Sequence, residues 1–182
     1  AQYNVGLMRY LGRGIEQDYT KAYEWSLKAA NQGDKKAQYQ VGKMLDDGRG
    51  ITQDYTTAYK WYLKSAKQDN SAAQNDLGIM YSSGFGVEQD YREAYKWYLR
   101  SANNGGVNAQ NSIGQIYEFG EGVSQSYSKA FDWYQKAAKN GDIHAQYHLA
   151  RFYFYGKGVT KNLALAEEYF EKAAESGNAN AL

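Results

Sequence analysis

The chain of 182 residues has no cysteine and no proline, and only two histidines. The lack of cysteine excludes a disulfide framework, a thiolate nucleophile and thiol metal ligands. It fits a reducing compartment. No leader is visible, and the compartment stays open between the cytoplasm and secretion after a leader has been removed. Without proline, no helix is broken or kinked by a missing amide donor. No apolar run approaches the ~20 residues of a membrane span. Charge of one sign is also missing: 21 Lys and Arg stand against 20 Asp and Glu, giving +1, with no basic stretch to mark a nucleic-acid or membrane face.

What the chain does have is repetition. An Ala-Gln pair stands at residues 1, 37, 73, 109 and 145, a period of 36. The expected organisation is a single solenoid domain over 1–182, with repeats 1–36, 37–72, 73–108, 109–144 and 145–180 and a sixth beginning at Ala181. The chain opens on the first residue of a repeat without an initiator methionine, so it is expected to be a piece of a longer array.

Numbered from its alanine, each repeat predicts a first helix over positions 1–11, with apolar residues at 1, 5 and 8, as in Ala73, Leu77 and Met80. Position 6 is small (Gly6, Gly42, Gly78, Gly114, Ala150), which predicts close approach by the partner helix. A Gly-x-Gly turn follows, its first glycine expected to cap the helix in left-handed backbone, and then a branched residue (Ile15, Ile51, Val87, Val123, Val159) expected to plug the gap between helices. Position 18 holds Asp18, Asp54, Asp90, Ser126 and Asn162, which share a side-chain acceptor and therefore read as N-caps. Only the third copy adds the glutamate of a capping box, Glu93. A second helix is expected over positions 19–31, with small residues for close packing and Trp and Tyr as bulk against the next repeat. It ends at Gly33, Asp69, Gly105, Gly141 and Gly177. Helix, turn, helix, turn repeated head to tail is an all-α solenoid.

The pattern Ala-x-x-x-Leu-Gly-x-x-Tyr-x-x-Gly-x-Gly-Val-x-x-Asp-x-x-x-Ala-x-x-Trp-x-x-x-Ala-Ala resembles the Sel-1-like repeat family, a branch of the tetratricopeptide group, over essentially the whole chain. The resemblance implies an α/α right-handed superhelical solenoid of five helix-turn-helix repeats, acting as a non-catalytic adaptor or scaffold for protein complexes. Two alternatives come with it: a hydrolase, by analogy with cysteine-rich relatives whose paired cysteines this chain lacks, and a spacer array within a larger protein. The fifth repeat departs most, with Ala150, Asn162, Leu163 and Tyr169 in place of Gly, Asp, Tyr and Trp, and a second helix rich in Glu167, Glu168 and Glu171. A polar terminal helix suits a capping repeat, whereas Ala181 and Leu182 open another unit, and both readings stand.

On a wheel of ~100° per residue, positions 3, 7 and 10 of the first helix lie opposite the core positions. They vary between copies while the core repeats. By the resemblance this face lines a concave groove for a protein or an extended peptide segment. The expected partner-binding residues are Tyr3, Tyr39, Lys43, Asn75, Ile79, Asn111, Gln115, Tyr147, Arg151 and Phe154. Aromatics there would serve as anchors, and Asn75 and Asn111 as clamps on a peptide backbone, since an amide both donates and accepts.

The chemical motifs are weak. His144 and His148 sit four apart without a third ligand or the glutamate of a zinc-protease motif, and read as solvated. The Gly-x-Gly turns lack both the third glycine of a dinucleotide fingerprint and the Gly-Lys-Ser/Thr of a phosphate loop, so no cofactor is expected. Asp18, Asp54 and Asp90 stand a full repeat apart, too far for a carboxylate pair acting on one bond.

Overall fold

The computed structural model describes residues 1–177, and the expected sixth unit at Ala181 lies outside them. Among the described residues there are ten helices and no strand. The first helices of the repeats are α1 (Gln2–Leu11), α3 (Lys35–Asp47), α5 (Ser71–Ser83), α7 (Val107–Phe119) and α9 (Ile143–Tyr155). The second helices are α2 (Tyr19–Asn31), α4 (Tyr55–Ala66), α6 (Tyr91–Asn103), α8 (Tyr127–Lys139) and α10 (Leu163–Glu175). α3, α5, α7 and α9 begin two residues before the Ala-Gln pair. In α3, α5 and α9 the reason is a cap missed in the sequence: Asp34, Asn70 and Asp142 accept the first free amides. The chain divides into two compact units, Ala1–Asn104 with α1–α6, and the residues from Gly105 with α7–α10.

The turn inside each repeat is fixed by three devices. Gly12, Gly48, Gly84, Gly120 and Gly156 end the first helices in left-handed backbone. Asp18, Asp54, Asp90, Ser126 and Asn162 cap the second helices through their side chains. The backbone amides of those five caps donate back to the carbonyls of Arg9, Leu45, Tyr81, Tyr117 and Tyr153 at 2.9–3.0 Å. Because Tyr81 already takes the Asp90 amide, the capping box expected of Glu93 is not made, and Glu93 pairs with Lys96 instead. A fourth device escaped the sequence reading. The side-chain amides of Gln17, Gln53, Gln89 and Gln125 donate to the carbonyls of Tyr10, Asp46, Ser82 and Glu118 at 2.6–2.8 Å, satisfying last-turn acceptors that a helix leaves open.

At Gly6 the small residue lets the partner helix approach, as expected, a Cβ there standing 2.7 Å from the Ser26 side chain and 3.1 Å from its backbone; in the next three repeats it makes room for a ring. A Cβ on Gly42, Gly78 or Gly114 would stand 2.7, 2.6 or 2.5 Å from the ring of Tyr62, Tyr98 or Tyr134. These tyrosines are the buried bulk of the second helices, at 0–5% exposure. The tryptophans are only half-buried, and Lys28, Lys64, Arg100 and Lys136 lie over Trp25, Trp61, Trp97 and Trp133. Of the branched plugs, Val87 and Val159 pack on core clusters, while Ile51 is exposed.

Candidate functional site

In the first unit, α3 and α5 bring Tyr39, Lys43, Asn75 and Ile79 around a group of carboxylates that the sequence reading did not single out. Asp46 accepts the Tyr62 hydroxyl at 3.1 Å. Asp76, largely buried one repeat later, accepts from the Asn75 amide at 3.2 Å and from the Tyr39 hydroxyl. Burial pushes the Asp76 carboxyl above the usual carboxylate range, against the pull of Asn75 and Lys43. Burial likewise pushes the Tyr39 and Tyr62 hydroxyls well above the ordinary tyrosine value, with Asp76 adding to both. The Lys43 ammonium pairs with Asp47 at 3.1 Å and Asp46 at 3.8 Å. Beside them opens a cleft of about 500 Å³ whose walls include Lys43, Asp46, Asp76, Ile79 and Phe85. Ile79 and Phe85 are 42% and 48% exposed. Tyr3 lies apart from this group, half-buried near Asp34.

In the second unit, α7, α8 and α9 build a different centre around Glu118, which is 2% exposed. The Tyr134 hydroxyl donates to it at 2.8 Å. His148 Nδ1, the Arg151 guanidinium and the Lys157 ammonium approach its carboxylate at 3.8, 3.7 and 4.0 Å. The His148 ring stacks on Tyr134 with centroids 4.4 Å apart and planes within 7°. The expectation of a solvated histidine therefore fails for His148, though His144 is exposed. Burial first, and then the charge on Arg151, lowers the His148 pKa to about 4, so the approach of Glu118 does not protonate the ring. Tyr147 packs on Phe170 and carries Arg151 over its face. Gln115 and Asn111 are half-buried, and Phe154 is 43% exposed.

The two asparagines expected to clamp a backbone have buried carbonyl oxygens without hydrogen-bond partners, and Asn75 spends its amide on Asp76. Of the missed residues, Asp46 and Glu118 occupy variable position 10, so a charged residue on the variable face was the available signal. Asp76 and His148 occupy position 4, which gives no such signal. No group of three or more His, Cys, Asp or Glu among the described residues could hold a metal ion. No helix there is long and apolar enough to cross a membrane.

The family model described as Sel1 repeat matches five times, at residues 1–34, 35–70, 71–106, 107–142 and 143–178. The chain is similar to a protective antigen of uropathogenic Escherichia coli displaying an SLR fold, with 37% identity and a TM-score of 0.93 over 99% of this chain and 38% of that one. It thus spans well under half of that relative. It is also similar to a Sel1 repeat protein from Oxalobacter formigenes, with 34% identity and a TM-score of 0.95 over 99% of this chain and 74% of the other. Helicobacter pylori cysteine rich protein B, at 24% identity and a TM-score of 0.56 over 71% of this chain and 92% of its own, shares the fold alone. No curated protein sequence matches.

Proposed function

Because this chain belongs to the Sel1 repeat family, whose members are generally non-catalytic protein-interaction scaffolds, we propose that it binds an extended protein segment on the exposed face of its first helices. The observation that carries this reading is the cleft of about 500 Å³ beside α3 and α5. It combines apolar anchors, Ile79 and Phe85, with the carboxylates of Asp46, Asp47 and Asp76 and the cations of Lys43 and Arg49, both of which pair with Asp47 and would exchange with a peptide cation there. A peptide carrying a Lys or Arg next to an apolar side chain matches that combination, the cation reaching the carboxylates and the apolar group covering Ile79. In the same face of the second unit, Tyr147, Arg151 and Phe154 offer an aromatic and cationic surface. The buried Glu118, bonded by the Tyr134 hydroxyl beneath the His148 ring, is read as serving the fold.

Selection of a random phage-displayed peptide library on the chain tests the proposal. Enriched peptides are expected to pair a basic with an apolar residue. They should lose at least about tenfold in affinity on Ile79→Asp or on Asp46→Asn with Asp47→Asn. Enriched peptides that bind both variants as well as the parent would overturn it.

A further inference from the structure

The second helices carry a charge rule that breaks at two adjacent repeats. Position 28 is a cation in every repeat: Lys28, Lys64, Arg100, Lys136 and Lys172. Each lies over the aromatic ring at position 25 of its own helix. Position 24, one helical turn earlier, is an acid in the first, fourth and fifth repeats: Glu24, Asp132 and Glu168. An acid and a cation four apart on a helix attract, and Glu168 pairs with Lys172 in this way. In the second and third repeats position 24 is Lys60 and Lys96. Like charges then stand four apart, an arrangement that weakens a helix.

Both exceptions fall in the first unit, on α4 and α6. Trp61 and Trp97 pack on the same core cluster, and Arg100 of α6 reaches Asp69 just beyond α4 at 3.4 Å, so the two helices lie side by side. Lys60, Lys64, Lys67, Lys96 and Arg100 are all exposed. The acids within reach are few. Glu93 pairs with Lys96, Asp69 with Arg100, and Asp54 caps α4 by accepting from Thr57. Five cations thus share three carboxylates, and both ion pairs lie at the surface, where a partner's carboxylate exchanges for them at little cost. No basic run marks this face in the chain, because its cations are spread over two repeats.

We propose that this face of α4 and α6 binds an extended acidic protein segment with Asp or Glu at alternate positions. Residues four apart on a helix are separated by about 6 Å along its axis. Alternate residues of an extended chain lie about 7 Å apart. A segment running along α4 therefore brings successive carboxylates to Lys60 and Lys64, and one along α6 brings them to Lys96 and Arg100. The bound carboxylates also remove the repulsion that each like-charged pair imposes on its helix. Other anionic partners fit less well. Among the described residues no large apolar side chain on α4 or α6 is exposed, which leaves nothing to enter a bilayer. The rings of Trp61 and Trp97 already carry Lys64 and Arg100 and pack on the core, so no ring stands open for a nucleic-acid base to stack on. This face lies on the second helices, whereas the cleft proposed for a basic segment lies beside α3 and α5.

Fluorescence anisotropy of a labelled peptide of alternating Asp and Ser, titrated with the 182-residue chain at low ionic strength, tests this. The parent is expected to bind the peptide, and to bind it less as salt rises. Lys60→Glu with Lys96→Glu gives the second and third repeats the acid that the first and fifth carry, so helical circular dichroism should be unchanged. The affinity of this variant should fall at least about tenfold. Lys136→Glu with Lys172→Glu makes the same change in net charge on the second unit and should alter affinity by less than about threefold. A parent that does not bind, a reversal at Lys60 and Lys96 without effect, or a reversal at Lys136 and Lys172 that costs as much would each overturn the proposal. So would oligothymidylate or phosphatidylserine vesicles that displace the labelled peptide, at equal charge, more readily than the unlabelled peptide does.

Discussion

The junction of the second and third repeats and that of the fourth and fifth share a register but hold opposite chemistry. In both, a buried tyrosine lies over a glycine and donates to the acid at position 10, Tyr62 to Asp46 and Tyr134 to Glu118. Position 4 of the next repeat then supplies another acid, Asp76, in the first unit and a base, His148, in the second. The first arrangement leaves carboxylates facing an open cleft and held by Lys43. The second seals its carboxylate beneath His148, Arg151 and Lys157. A constant backbone thus carries a different electrostatic element at each junction, because these positions lie beside the tyrosine and not in the repeated core.

The largest effect is expected from what the two junctions share. Gly42→Val and Gly114→Val drive a side chain into a packed ring and should each cost about 3 kcal/mol in urea unfolding. A cost confined to one unit would break the equivalence.

The acid response should separate the two. His148 titrates near 6.5 when unfolded and about 4 when folded, so below 6.5 the unfolded chain binds more protons and stability falls as pH drops through this window. The loss amounts to about 3 kcal/mol, and His148→Phe should flatten it. Asp76 has the opposite sign. Its folded pKa is raised above 3.8, so its contribution is present at low pH and is lost as pH rises through the folded value. Asp76→Asn should remove that decline, as measured by unfolding titrations across the same pH range.

Smaller differences follow from burial. Tyr134→Phe strips a donor from a carboxylate that is 2% exposed and should cost about 2 kcal/mol. Tyr62→Phe should cost about 1 kcal/mol, because the Asp46 side chain is 25% exposed and water replaces the hydroxyl. Equal costs in thermal melts would erase the distinction between an open and a sealed acid. Least of all, Lys43→Met breaks a surface pair with Asp47 and should change stability by no more than about 0.5 kcal/mol.

The helices and turns were legible because they rest on local rules repeated five times: caps at position 18, left-handed glycines at 12 and 33, and apolar spacing at 1, 5 and 8. Asp69 adopts the left-handed backbone of its glycine counterparts, φ 58°, as its place in the repeat implied. The candidate site was half legible. Position 10 was recognised as part of the variable face, but Asp76 and His148 gain their meaning only from a neighbour 30 residues earlier, Asp46 or Glu118. The carbonyl oxygens of Asn75 and Asn111 lie deeper than the wheel suggested, because a wheel gives direction and not depth.

By itself the sequence determined the period, the ten helices of the described residues and the caps at position 18, since each depends on contacts within a few residues. Only the tertiary structure decided which variable residues are open and which are sealed, and whether a carboxylate meets a base or a second acid. Those outcomes depend on desolvation and charge across the space between successive repeats. Neither is a property of one helix.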